Sequence, residues 1–433
     1  MTEEETRNAA LADILPVSAS VLSRLERRRR DAVRERGRCG IGCGEVDEYV
    51  LMGGLERGSV VGVSSEEEDF GVLLALQVIA RTVWRGIKKG KPEKALVVST
   101  QPTGTMVRML RDAAVAEIHA GEGEGEEQLT DVREIVAKVL GMVSIVRVFD
   151  IKGVWEVLDD LDLSAEENVA SAAPSPKVPG SPEEKSSGPE METKAVRDEI
   201  PDSDEEVSLS PSPPPSAAMA PTPEPTQKEE ESGLRKPDII LITHFSTLLT
   251  TLFTHAEKTT AHTSLQLLSS HLRYLARAMS SSPLILITNS IATAKNPEMA
   301  VPPTTMSGPG GPLRQPARRV DPTLRSIFDT PGVYSYGTTR SSGKPSFGLV
   351  FTQFLDLHLL CTRVPRTRGD AEGMAMRKDG EMVWVVEVLL DELGVWDGGG
   401  KGTKRRERRW GVVDWVGGRI VDAFEGEDVK RRI

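Results

Sequence analysis

The sequence predicts an α/β fold with a largely parallel sheet flanked by helices, interrupted by one long disordered insert. Two patterns carry that expectation. Short apolar runs alternate with longer segments of helical period along residues 42–162 and again along 237–425, as parallel strands joined by helices require. Between them lies a stretch of another kind. Residues 163–233 hold 16 acids, 5 bases, 12 Ser, 13 Pro and no aromatic side chain. The whole net charge of −11 sits there, and the remaining residues balance at 49 acids and 49 bases. So little apolar surface cannot offset the entropy of ordering, and disorder is expected. A chain of 433 residues allows two or three domains, or one domain with insertions. The pattern favours one folded domain, with a basic helical segment at 1–41, core halves at 42–162 and 237–425, the insert at 163–236, and a tail at 426–433.

Each element has its own signal. Ser59–Val63 reads as a strand, and Phe70–Ile87 as a helix with Leu73, Leu74, Leu76, Val78, Ile79 and Val83 as its apolar positions. Ala95–Ser99 is the next strand, Met106–Ala116 a helix, and Ser144–Phe149 a third strand, followed by a helix carrying Val154, Trp155, Val157, Leu158 and Leu161. After the insert, Asp238–Thr243 reads as a buried central strand. His262–Met279 is the clearest helix, because Leu265, Leu268, Leu272, Leu275 and Met279 keep the three-and-four spacing of one face. Leu284–Thr288 is another buried strand. Leu349–Val350, Leu357–Leu360, Val383–Leu389 and Val412–Val416 read as strands toward the sheet edge. Gly121–Glu127 reads as a surface loop, and Asn296–Arg319 is a Pro- and Gly-rich stretch.

Composition excludes several classes. Three cysteines cannot form a disulfide framework, and Cys39 and Cys43 lack the second pair or flanking His of a zinc site, so they read as structural. The start MTEEET has neither a basic nor an apolar leader region. No apolar run approaches the ~20 residues of a membrane-spanning helix. A soluble intracellular protein without a membrane partner is expected.

The stretch GCGEVDEYVLMGGLERGS (Gly42–Ser59), followed by the strand SVVGV, resembles the start of the RecA-like ATPase core of eukaryotic strand-exchange recombinases and their paralogues. Three later segments are similar to that family in the same order. RVFDIKGVWEVLDDL (Arg147–Leu161) resembles its third strand and helix. DIILITHFSTLL (Asp238–Leu249) and LILITNS (Leu284–Ser290) resemble the Walker B and sensor strands. PSFGLVFTQFLDLHLLCTR (Pro345–Arg363) resembles the segment after the second DNA-binding loop. The resemblance covers most of residues 42–163 and 237–363 and implies a RecA-like P-loop NTPase core.

The positions that would carry ATP chemistry hold the wrong residues. A phosphate-binding loop needs G-x-x-x-x-G-K-[ST], with backbone N–H groups around the phosphates, a Lys on the β/γ oxygens and a hydroxyl on Mg²⁺. Here Ser65 stands for the first Gly, and Phe70, Gly71 and Val72 stand for Gly-Lys-Ser/Thr, with Glu66, Glu67, Glu68 and Asp69 between. One unit charge ~4 Å from another contributes ~4 kcal/mol at an effective dielectric of ~20, so these acids would repel a triphosphate. The Walker B Asp is replaced by Thr243, and the general-base Glu by Gln101. No G-K-[ST] triplet occurs at any other strand-to-helix junction. The resemblance therefore implies a pseudo-ATPase with no catalytic residue, no metal and no cofactor; ATP and Mg²⁺ enter only if these positions are misaligned.

Other features point to partners and regulation. The family's first DNA-facing loop corresponds to Thr254–His262, whose one Lys is Lys258. Its second corresponds to Ile291–Gly343, where Arg314, Arg318 and Arg319 are candidate phosphate contacts and a solvated loop is the alternative. Arg27–Arg30 with Arg34, Arg36 and Arg38, and Lys404–Arg409, read either as solvated runs or as partner, nucleic-acid or nuclear-import signals, and a nuclear location is expected. Ser175, Ser181, Ser210 and Ser212 precede Pro and Ser203 sits among acids, so all five are candidate phosphorylation sites. The expectation is a non-catalytic recombinase-paralogue-like protein in homologous recombination and DNA repair. Its expected partners are recombinase or paralogue subunits, with single-stranded DNA as a candidate ligand. The alternatives are a structural subunit of an Elongator-type transfer-RNA modification complex and an active, misaligned DNA-dependent ATPase.

Overall fold

The computed structural model describes residues 18–121, 129–172, 236–293, 324, 326–328, 341–376, 379–396 and 403–424. Chain contacts divide the protein into two units, Met1–Glu167 with Leu234–Ile433, and Asn168–Gly233. The first holds the architecture below; the second lies almost entirely outside the described residues.

The elements run α1 (Ala19–Arg36), a π-helical turn (Glu45–Val50), β1 (Val60–Ser65), α2 (Glu68–Lys88), β2 (Ala95–Ser99), α3 (Thr103–Gly121), α4 (Leu129–Gly141), β3 (Val143–Arg147) and α5 (Ile151–Ala172). They continue with β4 (Ile239–Ile242), α6 (Phe245–His255), α7 (Lys258–Ala278), β5 (Leu284–Thr293), β6 (Ser341–Pro345), α8 (Gly348–Thr352) and β7 (Leu357–Pro365). The last are α9 (Arg368–Ala375), β8 (Met382–Asp391), β9 (Val395–Trp396), β10 (Thr403–Lys404), β11 (Trp410–Val416) and β12 (Arg419–Asp422). One large sheet takes the order β12-β11-β8-β7-β1-β5-β4-β2-β3, with β6 paired to β5. From β7 to β3 all neighbours are parallel, and β7-β8-β11-β12 are antiparallel. The expected class, α/β with a largely parallel central sheet flanked by helices, is observed.

The apolar strands have a direct cause. Helices cover both faces of the parallel region, so the residues of β1, β2 and β4 are all buried and period-two alternation only sorts side chains between two cores, while the edge strand β3 is half-buried to exposed. Val61, Val63, Ile239, Leu241, Leu284 and Leu286 join α2, α3 and α4 in one core. Val60, Ile240, Ile242, Ile285 and Ile287 join α5, α6, α7 and α8 in the other. Gly62 faces α8 so closely that a Cβ there would overlap Leu355. The face of α7 is as the spacing predicts, with Leu265, Leu268, Leu272 and Leu275 fully buried.

Three expectations need correction. Leu349–Val350 lies in α8, not in a strand; Phe351 is its buried position, and Phe354 and Leu355 just beyond it are buried too. Thr254–His262 is not a loop, because α6 ends at His255 and α7 begins at Lys258 after two linking residues. Glu68–Lys88 is long and apolar enough to cross a membrane by length and composition alone, contrary to the sequence reading; 78% of its apolar window is buried inside the protein, as befits the helix beside the central strand. The pattern also missed α4 and the last hairpin strand, β12. Cys39 and Cys43 are buried, and the Cys43 thiol donates to the Ile420 carbonyl at 3.1 Å, a structural role.

Candidate functional site

In an open parallel sheet, ligands settle beyond the carboxyl ends of the strands where connections diverge to opposite sides. That point lies at β1. Its chain leaves through α2 toward β2, while β7 on its other flank continues to β8. The residues beyond β1 are those the sequence resemblance aligns with a phosphate loop.

The connection is far shorter than a phosphate loop. Strand β1 ends at Ser65 and α2 begins at Glu68, leaving only Glu66 and Glu67 between them. The strand next door holds this turn down. The Glu66 N–H donates to the Cys361 carbonyl at 3.0 Å. The Arg363 N–H donates to the Glu66 carboxylate at 3.0 Å, and the Arg363 guanidinium to that of Glu67 at 2.7 Å. Ser246, in the first turn of α6, donates its hydroxyl to Glu68 at 3.0 Å. Carboxylates suit this location, since a helix N-terminus carries a partial positive charge that favours anions. Glu68 and Asp69 in the first turn of α2 thus occupy the field a phosphate would use.

The hydrophobic side of the turn is sealed as well. Phe70 stacks on Trp384 of β8 with ring centroids 3.9 Å apart and planes at 10°. The Arg363 guanidinium sits over the Trp384 ring, 5.8 Å from its centroid. Gly71 and Val72 are buried in α2, and Gly71 lies against β1, where a Cβ would come within 3.3 Å of the Ser65 Cβ. Ser65 is fully buried, and its hydroxyl has no partner among the described residues.

The tips of β2 and β4 form a separate hydroxyl cluster. Thr243 donates to the Ser99 hydroxyl at 2.8 Å, which also accepts the Gln101 N–H at 3.0 Å. His244 follows in a left-handed conformation, φ 54°, and its N–H donates to Thr288 at 3.1 Å. Inside the sheet, Ser64 lies 2.9 Å from His358 Nε2 and receives an Asn289 amide bond at 3.3 Å. Burial pushes the His358 imidazole down to about 3, so the ring is neutral and sealed from substrate.

Tested against MgATP, these residues do not fit. No Lys stands at the turn, no carboxylate ends β4, and the acids nearest the helix N-terminus are engaged by Arg363 and Ser246. No phosphate-transfer step can be built from them. The structure brings Ser65, Phe70, Gly71 and Val72 together, and joins Thr243 to Gln101 only through Ser99. Arg314, Arg318 and Arg319, and Ser175, Ser181, Ser203, Ser210 and Ser212, lie outside the described residues. The described part of the second loop is anchored. Glu387 on β8 accepts from the Ser326 hydroxyl at 2.7 Å and the Ile327 N–H at 2.9 Å, and burial raises its carboxyl above the ordinary range. Glu387 and Arg363 are the site residues sequence reasoning missed. Their signals were a single acid within the apolar run WVVEVLL and a base at the end of HLLCTR.

Among solved structures, the chain is similar to that described as the crystal structure of the RadB recombinase, with 10% identity, a TM-score of 0.42, and 89% of this chain and 100% of that chain covered. At this level the likeness defines neither family nor activity. No family model matches the chain, and no curated protein matches it.

Proposed function

We propose that this protein is a non-catalytic, recombinase-paralogue-like scaffold with a RecA-like core, acting in homologous recombination and DNA repair through its partners rather than through ATP turnover. One observation carries the non-catalytic half: the two-residue β1–α2 turn, whose acids are bound to the protein's own Arg363 and Ser246. The recombinase half rests on the ordered sequence segments from Gly42 to Arg363. In this reading the partners are recombinase or paralogue subunits in the nucleus. Arg314, Arg318 and Arg319 contact single-stranded DNA, and phosphorylation of the Ser-Pro sites in the insert regulates association.

Two experiments test it. Calorimetry with MgATP is expected to give no saturable heat, and a low-micromolar affinity would overturn the pseudo-ATPase reading. Affinity purification from the native cells, with and without DNA damage, is expected to recover recombinase or paralogue subunits, more strongly after damage. Recovery of Elongator subunits instead would keep the inert site and move the function to transfer-RNA modification.

A further inference from the structure

At the amino end of β1 lies a cavity of about 420 Å³, bounded by α1, the turn into β1, and residues flanking the β9–β10 pair. Its charge is almost entirely of one sign. Arg29, Arg30, Arg34, Arg38, Arg57 and Lys404 line it, and Glu56 is the one lining carboxylate. Ion pairs answer only part of this charge. Glu26 serves both Arg29 at 2.8 Å and Arg30 at 2.7 Å, Glu56 serves Arg38 at 2.9 Å, and Glu93 serves Arg57 at 2.6 Å. Arg34 is exposed and enters no ion pair among the described residues.

Arg57 is the most constrained of these cations. It is only 4% exposed, its Nε donates to the Gly37 carbonyl at 3.2 Å and its Nη2 to Glu93, while Nη1 is buried with no acceptor among the described residues. The lining guanidinium groups, with Arg34 exposed and outside any ion pair among the described residues, make a cationic wall that favours an anion, and the planar fork suits phosphate oxygens. The remaining wall is apolar, from Val33, Met52, Leu393 and Val395. A site with cationic and apolar walls suits an anion attached to an organic group better than a bare ion.

We propose that this cavity binds a small organic phosphate, with Arg57 and Arg34 among its cationic contacts. The site stands apart from the functional reading above, because six-residue β1, about 20 Å long, separates it from the β1–α2 turn. The test is calorimetry on the full-length protein at fixed ionic strength, with phenyl phosphate and inorganic phosphate as probes. Phenyl phosphate is expected to saturate and to bind more tightly than inorganic phosphate. Arg57→Met should weaken it about tenfold or more, as loss of a charge-assisted contact does. Because Arg57 also holds Glu93, Arg34→Glu at an exposed position and Val33→Phe in the wall serve as the variants that keep the fold, and each should weaken binding at least about threefold. No saturable binding of phenyl phosphate, or binding unchanged in all three variants, overturns the proposal. Binding of short oligothymidylate alone, lost in Arg34→Glu, also overturns it in favour of a nucleic-acid contact.

Discussion

The two ends of β1 use charge in opposite ways. At the carboxyl end, the turn's acids are turned back on the protein, held by Arg363, Ser246 and a backbone N–H. At the amino end, six bases and one carboxylate line a cavity, and Arg34 there is exposed and enters no ion pair among the described residues. The contrast separates a fold from its chemistry. A central parallel strand feeding a helix N-terminus provides the geometry for anions, but the sign of the residues in the turn decides whether an anion can enter.

Breaking the seal at the carboxyl end should give the largest effect. Trp384→Ala removes the ring on which Phe70 stacks and should cost about 3–5 kcal/mol in urea unfolding; a loss below about 1 kcal/mol would show that the stack contributes little. The next effect is set by pH. Burial holds the folded His358 near 3, below its unfolded value, so its contribution is present above the unfolded pKa and is lost as pH falls toward the folded one. Stability should drop by about 2 kcal/mol from this group between about pH 7 and pH 5, and His358→Gln should be less acid-sensitive over that window.

Smaller effects sharpen the comparison. Glu387 has a raised carboxyl, so its contribution is present at low pH and is lost as pH rises through the folded value. The stability difference between the wild type and Glu387→Gln should therefore shift against the wild type as pH rises, read by thermal unfolding. The Glu67–Arg363 pair is partly exposed, so Arg363→Ala should change stability by no more than about 1 kcal/mol. Replacing Glu66 and Glu67 together by Gly should also fail to create MgATP binding in calorimetry, because no Lys stands at the turn. Measurable affinity in that variant would show that charge alone had closed the site.

Much of the core was legible because it follows from local pattern. The runs at Ala95–Ser99, Asp238–Thr243 and Leu284–Thr288 announced strands buried on both faces, and the leucines of α7 announced its buried side. Leu349–Val350 misled because a run that short carries no period of its own; the packing of Phe351 and Phe354 makes it helical. The last strand, β12, is defined by its antiparallel pairing with β11 rather than by its own composition.

By itself, the sequence determined the α/β class and the segregation of acidic charge into one insert. These are properties of composition and spacing, which no folding can alter. Only the tertiary structure decided which partners the acids take, because Glu67, itself exposed, and its partner Arg363 lie 296 residues apart and meet when β7 pairs beside β1. It likewise decided that bases from α1, the turn into β1 and a distant hairpin share one cavity. A charge's partner is set by distance in space, and sequence fixes that distance only where the intervening chain is short.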